Sequence, residues 1–324
     1  SFGALGALAY EAYRLTEPLT GRAAAAGAAA MVLAFGGHVW CAASGMEVVP
    51  FAWLVAHAAR RGSEWAEGAT PEARSKRALA RLVVLAVLCP LMRPEGAISS
   101  LALGVVVLTH PRSGTVVLRS ARGEIDLSRI EAGLLLASAA VPNLLLLALT
   151  GRPTSSTAQV KLLAYSPYYS LGDTALANAR LLVGTILDGQ VWSAEFLPRG
   201  GAALACLGLL ALVWRGSASR RHARAALVLV VALSMFVPCL YVTFLWNRLR
   251  YLWPFAWAWF VGLACLARVA GGIASRLDVR AAPAVAALSA GACAGALLVR
   301  LDWVLEDVAQ SASGISRQQV ALGH

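Results

Sequence analysis

Long apolar runs, separated by short charged stretches, recur along nearly the whole sequence. Of the 324 residues, 59% are hydrophobic and only 14% are charged, whereas a soluble domain averages about 25% charged residues. In lipid, a polypeptide must satisfy its own backbone hydrogen bonds, and a helix does so within each run. We therefore predict an all-α fold, a polytopic transmembrane helical bundle of about nine or ten membrane segments.

The predicted membrane segments divide the chain into regions of different character. They are residues 2–13, 23–43, 48–59, 82–90, 97–108, 132–149, 201–214, 225–245, 251–266 and 281–299. Several are shorter than the roughly 20 residues of a full crossing, so we expect some to be tilted, broken or re-entrant. Residues 1–299 are predicted to form one transmembrane domain, in which residues 150–199 are a periplasmic loop or interfacial segment. Residues 300–324 are predicted to begin a periplasmic C-terminal region.

Arginine and lysine concentrate in alternate loops, which predicts the orientation of the chain. The basic loops lie at residues 60–81, 112–129, 215–224 and 268–280. By the positive-inside rule these loops are cytoplasmic. The remaining polar stretches, at residues 44–47, 93–96, 150–199, 247–250 and 300–324, then all face the outside. This topology accounts for the net charge of +11 without a nucleic-acid partner.

The sequence contains none of the common metal, nucleotide or nucleophile motifs. Its six cysteines lie inside apolar runs without a C-x-x-C or Cys/His cluster, so neither a disulfide framework nor a structural zinc site is predicted. No P-loop, dinucleotide-binding glycine pattern or nucleophile elbow occurs. His38, in the middle of an apolar run, is interpreted as a core histidine bonded to a backbone carbonyl, with a functional ligand as the alternative.

Charged residues on the predicted outer side lie at the ends of apolar runs rather than within loops. They are Glu47, Arg93, Glu95, Arg248 and Arg250. A charge buried in lipid costs about 2.5–3.5 kcal/mol on insertion scales, so these side chains must reach a membrane surface or a watery cavity. They either extend individually to the headgroups or share one cavity. A cavity with several arginines suits a lipid-linked phosphate, because a guanidinium binds phosphate oxygens in a bidentate fork.

The polar region after residue 150 offers weaker candidates. Lys161 is either a solvated loop lysine or a further phosphate ligand. Tyr165, Tyr168 and Tyr169 are interpreted as residues of the membrane-interface belt, with stacking on a sugar as the alternative. An amphipathic segment near residues 174–187 is of the kind that lies in the interface.

Three motifs, in order and spacing, resemble those of the bacterial GT-C membrane glycosyltransferases. They are Ser44-Gly45-Met46-Glu47, Arg93-Pro94-Glu95-Gly96 and Arg250-Tyr251-Leu252-Trp253-Pro254. The likeness is nearest to the arabinofuranosyltransferase-like and protein-mannosyltransferase-like branches. Residues 152–161 resemble a degraded form of a further periplasmic motif, and residues 315–324 resemble the run-in to the C-terminal periplasmic domain of the family. The sequence begins inside an apolar run, and we expect it to be a piece of a longer protein.

The resemblance implies transfer of a sugar from a polyprenyl-phosphate donor to an acceptor on the periplasmic side of the bacterial cytoplasmic membrane. It assigns Glu47 and Glu95 as the candidate catalytic carboxylates. The residues implied in binding the donor are Arg93, Arg248, Arg250, Lys161 and Tyr251. In the family, an acidic loop between the first two helices supplies the base and, in some members, holds a divalent metal (Mg²⁺, Ca²⁺ or Mn²⁺). We expect this sequence to begin after that loop, and no metal site is predicted within it.

The missing acidic loop leaves a second interpretation open. The chain is then a non-catalytic integral membrane subunit, a scaffold resembling such enzymes within a larger membrane complex. A secondary transporter is disfavoured, because the charges lie at one face rather than near the membrane midplane.

Overall fold

The computed structural model describes residues 1–68, 71–111, 117–120, 123–187, 197, 200–214, 222–242 and 249–274, together with isolated positions beyond 290. Nearly all of this part of the chain is helical. The α-helices are α1 Phe2–Thr20, α2 Arg22–Ala34, α3 Gly36–Ala43, α4 Val48–Glu67, α5 Lys76–Met92, α6 Ala97–Thr109, α7 Leu127–Ser138, α8 Val141–Thr150, α9 Ser156–Lys161, α10 Leu171–Leu181, α11 Gly201–Trp214, α12 His222–Leu233 and α13 Ala256–Ala274. Short 3₁₀ helices cover Pro71–Arg74, Pro94–Gly96, Leu163–Tyr165, Ser234–Leu240 and Trp253–Phe255, and a π-helix covers Leu182–Leu187.

Helix ends follow local sequence signals. The Ser75 hydroxyl accepts a hydrogen bond from the Ala78 backbone N–H, which caps the start of α5. Gly151, in the left-handed region at φ 72°, ends α8 and returns its N–H to the Leu147 carbonyl. Between α2 and α3, Phe35 is extended and interrupts the helix. These signals shorten several apolar runs into separate helices.

The chain divides into two compact units. Unit 1 comprises Ser1–Trp53, Arg180–Gly208 and Leu245–His324, and unit 2 comprises Leu54–Ala179 and Leu209–Phe244. Because each unit is assembled from distant parts of the sequence, neither corresponds to one continuous stretch.

In unit 1, α1 packs against α2 and α13, and α13 also packs against α2. Small residues allow the helices to approach closely, as at the buried cluster of Ala24, Ala28 and Ala264. The closest approach joins α11 to α13, where a Cβ added to Gly208 would lie 2.3 Å from the Gly262 carbonyl oxygen. Glycine is therefore required there for backbone contact.

In unit 2, α5 packs against α6, α7 and α8, while α6 packs against α7 and α12. The core is a buried cluster that includes Leu82, Leu85, Leu103, Leu135 and Leu227. The antiparallel course of α5 and α6 follows from the tight turn at Pro94–Gly96 that joins them. This turn positions the Arg-Pro-Glu-Gly motif.

One described helix is long and apolar enough to cross a membrane. It is His222–Leu240, with 19 residues and a mean hydropathy of 2.2. Two bent pairs raise the number to three if each counts as one span: Arg22–Ala34 with Gly36–Ala43, bent by 51°, and Arg129–Ser138 with Val141–Thr150, bent by 57°. Helices Pro94–Thr109, Gly201–Val213 and Trp253–Leu266 are apolar but shorter. Membrane association is thus supported. Nearly all of the predicted segment at residues 281–299 lies outside the described residues.

The prediction of an all-α fold holds for the described residues except at one hairpin. Strands β1 (Val117–Ser120) and β2 (Gly123–Asp126) pair antiparallel, with Val117 opposite Asp126 and Ser120 opposite Gly123. The hairpin falls within the basic stretch that was predicted to be a loop. The charged residues in this stretch do not prevent a short pair of strands from forming.

The predicted loop at residues 60–81 is largely helical, which corrects the sequence interpretation. Helix α4 continues to Glu67, and α5 begins at Lys76. The reason is local: Arg60 and Glu64 form an ion pair of 2.6 Å at a spacing of four residues, which supports continuation of the helix. Charge alone therefore did not end α4.

Candidate functional site

Arg93 and Glu95 form a buried ion pair in the turn between α5 and α6. The Arg93 Nη2 atom lies 3.1 Å from Glu95 Oε1, and Nε lies 3.4 Å from Oε2. Only 6% of Arg93 and 4% of Glu95 are exposed. Each carboxylate oxygen thus accepts from the same guanidinium, a two-point arrangement that holds both side chains in one geometry. The contact brings together two of the residues predicted for the site, and the catalytic role of Glu95 stays a prediction.

The backbone of the turn leaves no room for a side chain at Gly96. A Cβ there would lie 2.2 Å from both the carbonyl carbon and the oxygen of Cys89. Ser100, one turn into α6, donates its hydroxyl to the Ala86 carbonyl. Pro90 and Pro94 bracket the reversal, since neither supplies a backbone N–H for a continuous helix. The motif is therefore a compact structural turn that presents the ion pair.

Two predicted outer stretches meet at one end of the unit 2 helices. The turn Pro94–Gly96 packs against Ser234–Leu240. The carbonyl of Lys161, a half-buried residue at the end of α9, accepts a hydrogen bond of 2.8 Å from the Val242 backbone N–H. Arg93, Glu95 and Lys161 therefore lie toward the same end of this unit, as the sidedness inferred from sequence requires.

The opposite end of the same helices gathers basic and acidic residues. Arg74 donates to the Trp65 and Ala66 carbonyls, each at 2.8 Å, and so satisfies the last carbonyls of α4. The Trp65 indole N–H donates to the His110 carbonyl at 2.9 Å. These contacts bring together three stretches that the positive-inside rule assigned to the cytoplasmic side: the end of α4, the turn before α5 and the end of α6.

A pocket of about 300 Å³ opens at this basic end. The charged residues that line it are Arg61, Glu64, Glu67, Glu72 and Arg81. Two of its carboxylates are already paired, Glu64 with Arg61 at 2.8 Å and Glu67 with Arg224 at 2.6 Å. It lies at the far end of the helices from Arg93 and Glu95, so it belongs to a different region from the predicted site.

In unit 1, Arg250 is held against its neighbour Tyr251. The Arg250 guanidinium lies 5.1 Å from the centre of the Tyr251 ring, and its Nη2 donates to the Tyr251 hydroxyl at 3.1 Å. A cation over an aromatic face is attracted by the ring quadrupole. The Nε–H of Arg250 is buried without a hydrogen-bond partner among the described residues. An unused buried donor on a cation marks a place where an acceptor oxygen would be stabilised.

The residue before Arg250 has an unusual backbone. Leu249 lies in the left-handed region at φ 58° although it has a branched side chain, a conformation that costs roughly 1–2 kcal/mol. Its carbonyl accepts from the Leu252 N–H at 2.8 Å, and the side chain is buried. Strain of this kind persists where the surrounding structure imposes it and is frequent at functional sites. The sequence carried no signal for it.

Glu47 lies at the exposed start of α4, where its carbonyl accepts from the Phe51 N–H. The Phe51 ring contacts Phe255 edge-on, with centroids 6.4 Å apart. Glu47 precedes Phe51 by one helical turn, and Arg250 precedes Phe255 by five residues. Each of the two residues is therefore close in sequence to one partner of this ring contact. Glu47 and Arg250 thus both belong to unit 1, and Arg93 and Glu95 are paired in unit 2.

The interpretation of His38 as a core histidine is confirmed. It is fully buried, and its Nε2 lies 3.0 Å from the Trp253 carbonyl oxygen. Its ring packs edge-on to Phe35 at 4.9 Å. His38 therefore connects α3 to the Arg-Tyr-Leu-Trp-Pro segment and fixes the backbone just after Arg250.

Arg248 lies outside the described residues, so its role in donor binding stays a prediction. That the charged residues at the ends of the apolar runs share one cavity also stays a prediction. Within the described part of the chain, no group of three His, Cys, Asp or Glu side chains is placed to hold a metal ion.

Comparison of the chain with protein-family models, with curated proteins and with solved structures gives no match.

Proposed function

We propose that this chain is the multi-pass membrane core of a glycosyltransferase of the bacterial cytoplasmic membrane. It binds a polyprenyl-phosphate-linked sugar on the periplasmic side and transfers the sugar to an acceptor hydroxyl. Arg250 is the principal ligand of the donor phosphate. The observation that carries the proposal is the buried Arg250 Nε–H, which has no protein acceptor among the described residues, while Nη2 of the same guanidinium donates to the Tyr251 hydroxyl.

The chemistry assigns a separate role to each polar group. The acceptor oxygen attacks the anomeric carbon, and the bond from that carbon to the phosphate oxygen breaks with its electron pair leaving on the phosphate. A guanidinium beside the phosphate stabilises the charge that develops there. The acceptor proton passes to a carboxylate base. Glu47 is an exposed carboxylate in the same unit as Arg250, and it is the candidate for that role within this chain.

Arg93 and Glu95 support a positioning role in this scheme. Because Glu95 accepts from both Nε and Nη2 of Arg93, the carboxylate holds the guanidinium in a fixed orientation. Neither side chain is exposed enough to reach bulk solvent. Their contribution is to keep the turn between α5 and α6 in place.

The same closed pair favours a second candidate function. If Arg93 serves only to neutralise Glu95, the motif is structural, and the chain is a non-catalytic integral membrane subunit of a larger complex. This alternative requires no ligand at Arg250. The two functions therefore differ in whether the chain binds a polyprenyl phosphate.

The test is a binding measurement on the purified chain in lipid nanodiscs. Radiolabelled polyprenyl phosphate is the probe, and the corresponding polyprenol, which lacks the phosphate, is the ligand control. Loss of a charge-assisted hydrogen bond costs about 1.5–3 kcal/mol, so Arg250→Gln is expected to weaken phosphate binding by roughly ten- to hundredfold. Arg250→Lys keeps the charge but loses the fork, and an intermediate loss is expected.

The matched control is Arg152→Gln, which removes an exposed arginine from the polar region after α8. It is expected to leave binding of polyprenyl phosphate unchanged. Equal binding of phosphate and polyprenol by the wild-type chain, or unaltered phosphate binding in Arg250→Gln, would overturn the donor-binding proposal in favour of the subunit.

A further inference from the structure

The segment after α9 is attached by its backbone to the end of the helix that is long enough to cross a membrane. Leu162 forms an antiparallel bridge with Tyr241, the residue directly after Ser234–Leu240. Beside it, the Val242 N–H donates to the Lys161 carbonyl at 2.8 Å. The position of this segment along the helix axis is therefore set by hydrogen bonds.

Asn178, on the inner side of α10, makes a second attachment to the same helix end. Its Nδ2 lies 2.9 Å from the Cys239 carbonyl oxygen and 3.3 Å from that of Tyr241. The last carbonyls of a helix have no partner within the helix and require one from elsewhere. Asn178 supplies such a partner, so hydrogen bonds attach α10 to the C-terminal end of His222–Leu240.

Between these two attachments, large aromatic and apolar side chains point away from the protein. We name them the tyrosine ledge: Tyr165, Tyr168, Tyr169, Leu171 and Leu176, all of them exposed. Tyr168 is 88% exposed, an unusually large fraction for an aromatic side chain. No described part of the protein covers it. Tyrosine combines an apolar ring with a polar hydroxyl, the combination that is enriched where membrane meets water.

The dimensions of the attached helix match those of a bilayer core. His222–Leu240 consists of 12 α-helical and 7 3₁₀ residues, which together span about 32 Å, close to the roughly 30 Å hydrocarbon thickness. Its outward side is apolar up to its last residue, with Val230, Leu233 and Leu240 exposed. This apolar side leads directly to the tyrosine ledge.

We infer that the tyrosine ledge lies in the lipid headgroup region at the end of the His222–Leu240 span and anchors the chain at that depth. Because residues on both sides of the ledge are hydrogen-bonded within two residues of the span's end, the ledge lies neither in the hydrocarbon centre nor in bulk water. The partner of this surface is the bilayer interface itself. The inference depends on the span crossing the membrane and is independent of glycosyl transfer.

The test places an environment-sensitive NBD fluorophore on a cysteine introduced by Tyr168→Cys in the full chain, reconstituted in phosphatidylcholine vesicles. Cys206 and Cys293 are replaced by alanine, and the buried Cys41, Cys89, Cys239 and Cys265 are left in place. Lipids carrying a nitroxide quencher near the headgroup or near the chain end report the depth of the label. Two matched positions calibrate the scale: Leu233→Cys on the outward side of the span, and Glu72→Cys at the exposed opposite end of unit 2.

The label at Tyr168→Cys is expected to be quenched at least about twofold more by the shallow nitroxide than by the deep one, with the reverse order at Leu233→Cys. Glu72→Cys is expected to show little quenching by either. A Tyr168→Cys label that behaves like the one at Glu72→Cys, or like the one at Leu233→Cys, overturns the inference. So does an NBD spectrum typical of an apolar environment without quenching by either lipid, since a protein would then cover the ledge.

A second variant tests the attachment itself. Asn178→Ala removes both side-chain hydrogen bonds to the span's end without touching the exposed residues. In that background, the preference of the Tyr168→Cys label for the shallow quencher is expected to fall. An unchanged depth profile in a chain without Asn178 would show that the ledge is not held by this attachment, and would overturn that part of the inference.

Discussion

Arg224, in the first turn of α12, and Glu67, the last residue of α4, form a two-point ion pair although they lie 157 positions apart in the sequence. Arg224 Nε is 2.6 Å from Glu67 Oε1, and Nη2 is 2.7 Å from Oε2. The side chains are 4% and 13% exposed. Arg224 was predicted to belong to the basic loop at residues 215–224. The partner comes from another helix and connects two stretches assigned to the cytoplasmic side.

Removing one partner of this pair is expected to destabilise the fold strongly. Glu67→Gln leaves the Arg224 guanidinium buried without a counter-charge, at a cost of about 3–5 kcal/mol. The measurement is the free energy of unfolding in SDS titrations of mixed micelles. Arg22→Gln is the matched control, because the Arg22–Glu17 pair is 3.5 Å long and 89% of the Arg22 side chain is exposed. A change below about 1 kcal/mol is expected there, and equal effects of the two variants would contradict the burial of the Glu67–Arg224 pair.

The Arg93–Glu95 pair is expected to show strong energetic coupling. Glu95→Gln and Arg93→Met each leave one buried group without its partner, whereas the double variant removes both. The loss of unfolding free energy in the double variant should therefore be smaller than the sum of the two single losses, by more than about 1 kcal/mol. Asp173→Asn, an exposed change in α10, serves as the control for a lost carboxylate charge. Additive losses would indicate that the two side chains do not interact in the folded chain.

The crossing of α11 and α13 is expected to tolerate no side chain at its centre. In Gly208→Ala the new methyl group would lie 2.3 Å from the Gly262 carbonyl oxygen and 2.8 Å from the Leu266 backbone nitrogen. The helices must move apart, and a loss of roughly 1–3 kcal/mol or more in unfolding free energy is expected. Gly133→Ala in α7 is the matched control, since no atom lies within 4 Å of the added Cβ. That substitution should be neutral or stabilise the helix by up to about 1 kcal/mol, and the prediction is wrong if both variants unfold alike.

Glu64 is expected to make stability depend on pH in the acidic range. Burial raises the pKa of this carboxyl, but the Arg60 and Arg61 guanidinium groups together lower it by a larger amount. The net shift of the pKa is therefore downward from 4.5. A depressed folded-state pKa contributes stability that is complete above the unfolded pKa and is lost as pH falls through the lower folded value. Unfolding free energy measured from pH 6 downward should therefore decline below about pH 4.5 in the wild type and less steeply in Glu64→Gln. Parallel declines would rule out a contribution from this carboxyl.

Much of the helical pattern was predictable from local sequence, because the cost of placing a residue in lipid or of ending a helix depends on nearby residues. The apolar runs at residues 97–108 and 201–214 coincide with α6 and α11 within one residue. The Arg-Pro-Glu-Gly break was predicted to interrupt the apolar pattern, and it does, between α5 and α6. Where helix-supporting charges follow an apolar run, as at Arg60 and Glu64, the sequence placed the boundary too early.

The alternation of basic and non-basic loops also determined which polar stretches share an end of unit 2. Where charges lie relative to each apolar run is a local property of the sequence. Because successive membrane segments cross in alternate directions, the side assigned to one loop determines the side of the next. The contacts of Pro94–Gly96 and of Lys161 with residues at the end of His222–Leu240 agree with that order.

Partner choice, by contrast, was decided only by the tertiary structure. Nothing near Arg224 indicates Glu67, nothing near His38 indicates the Trp253 carbonyl, and nothing near Asn178 indicates the end of the apolar helix. The left-handed backbone of Leu249 is likewise imposed by its surroundings, since leucine has no preference for it. Local sequence determines where a helix forms and which residues are costly to bury. The satisfaction of each buried polar group depends on which helices pack together, and that is a property of the whole fold.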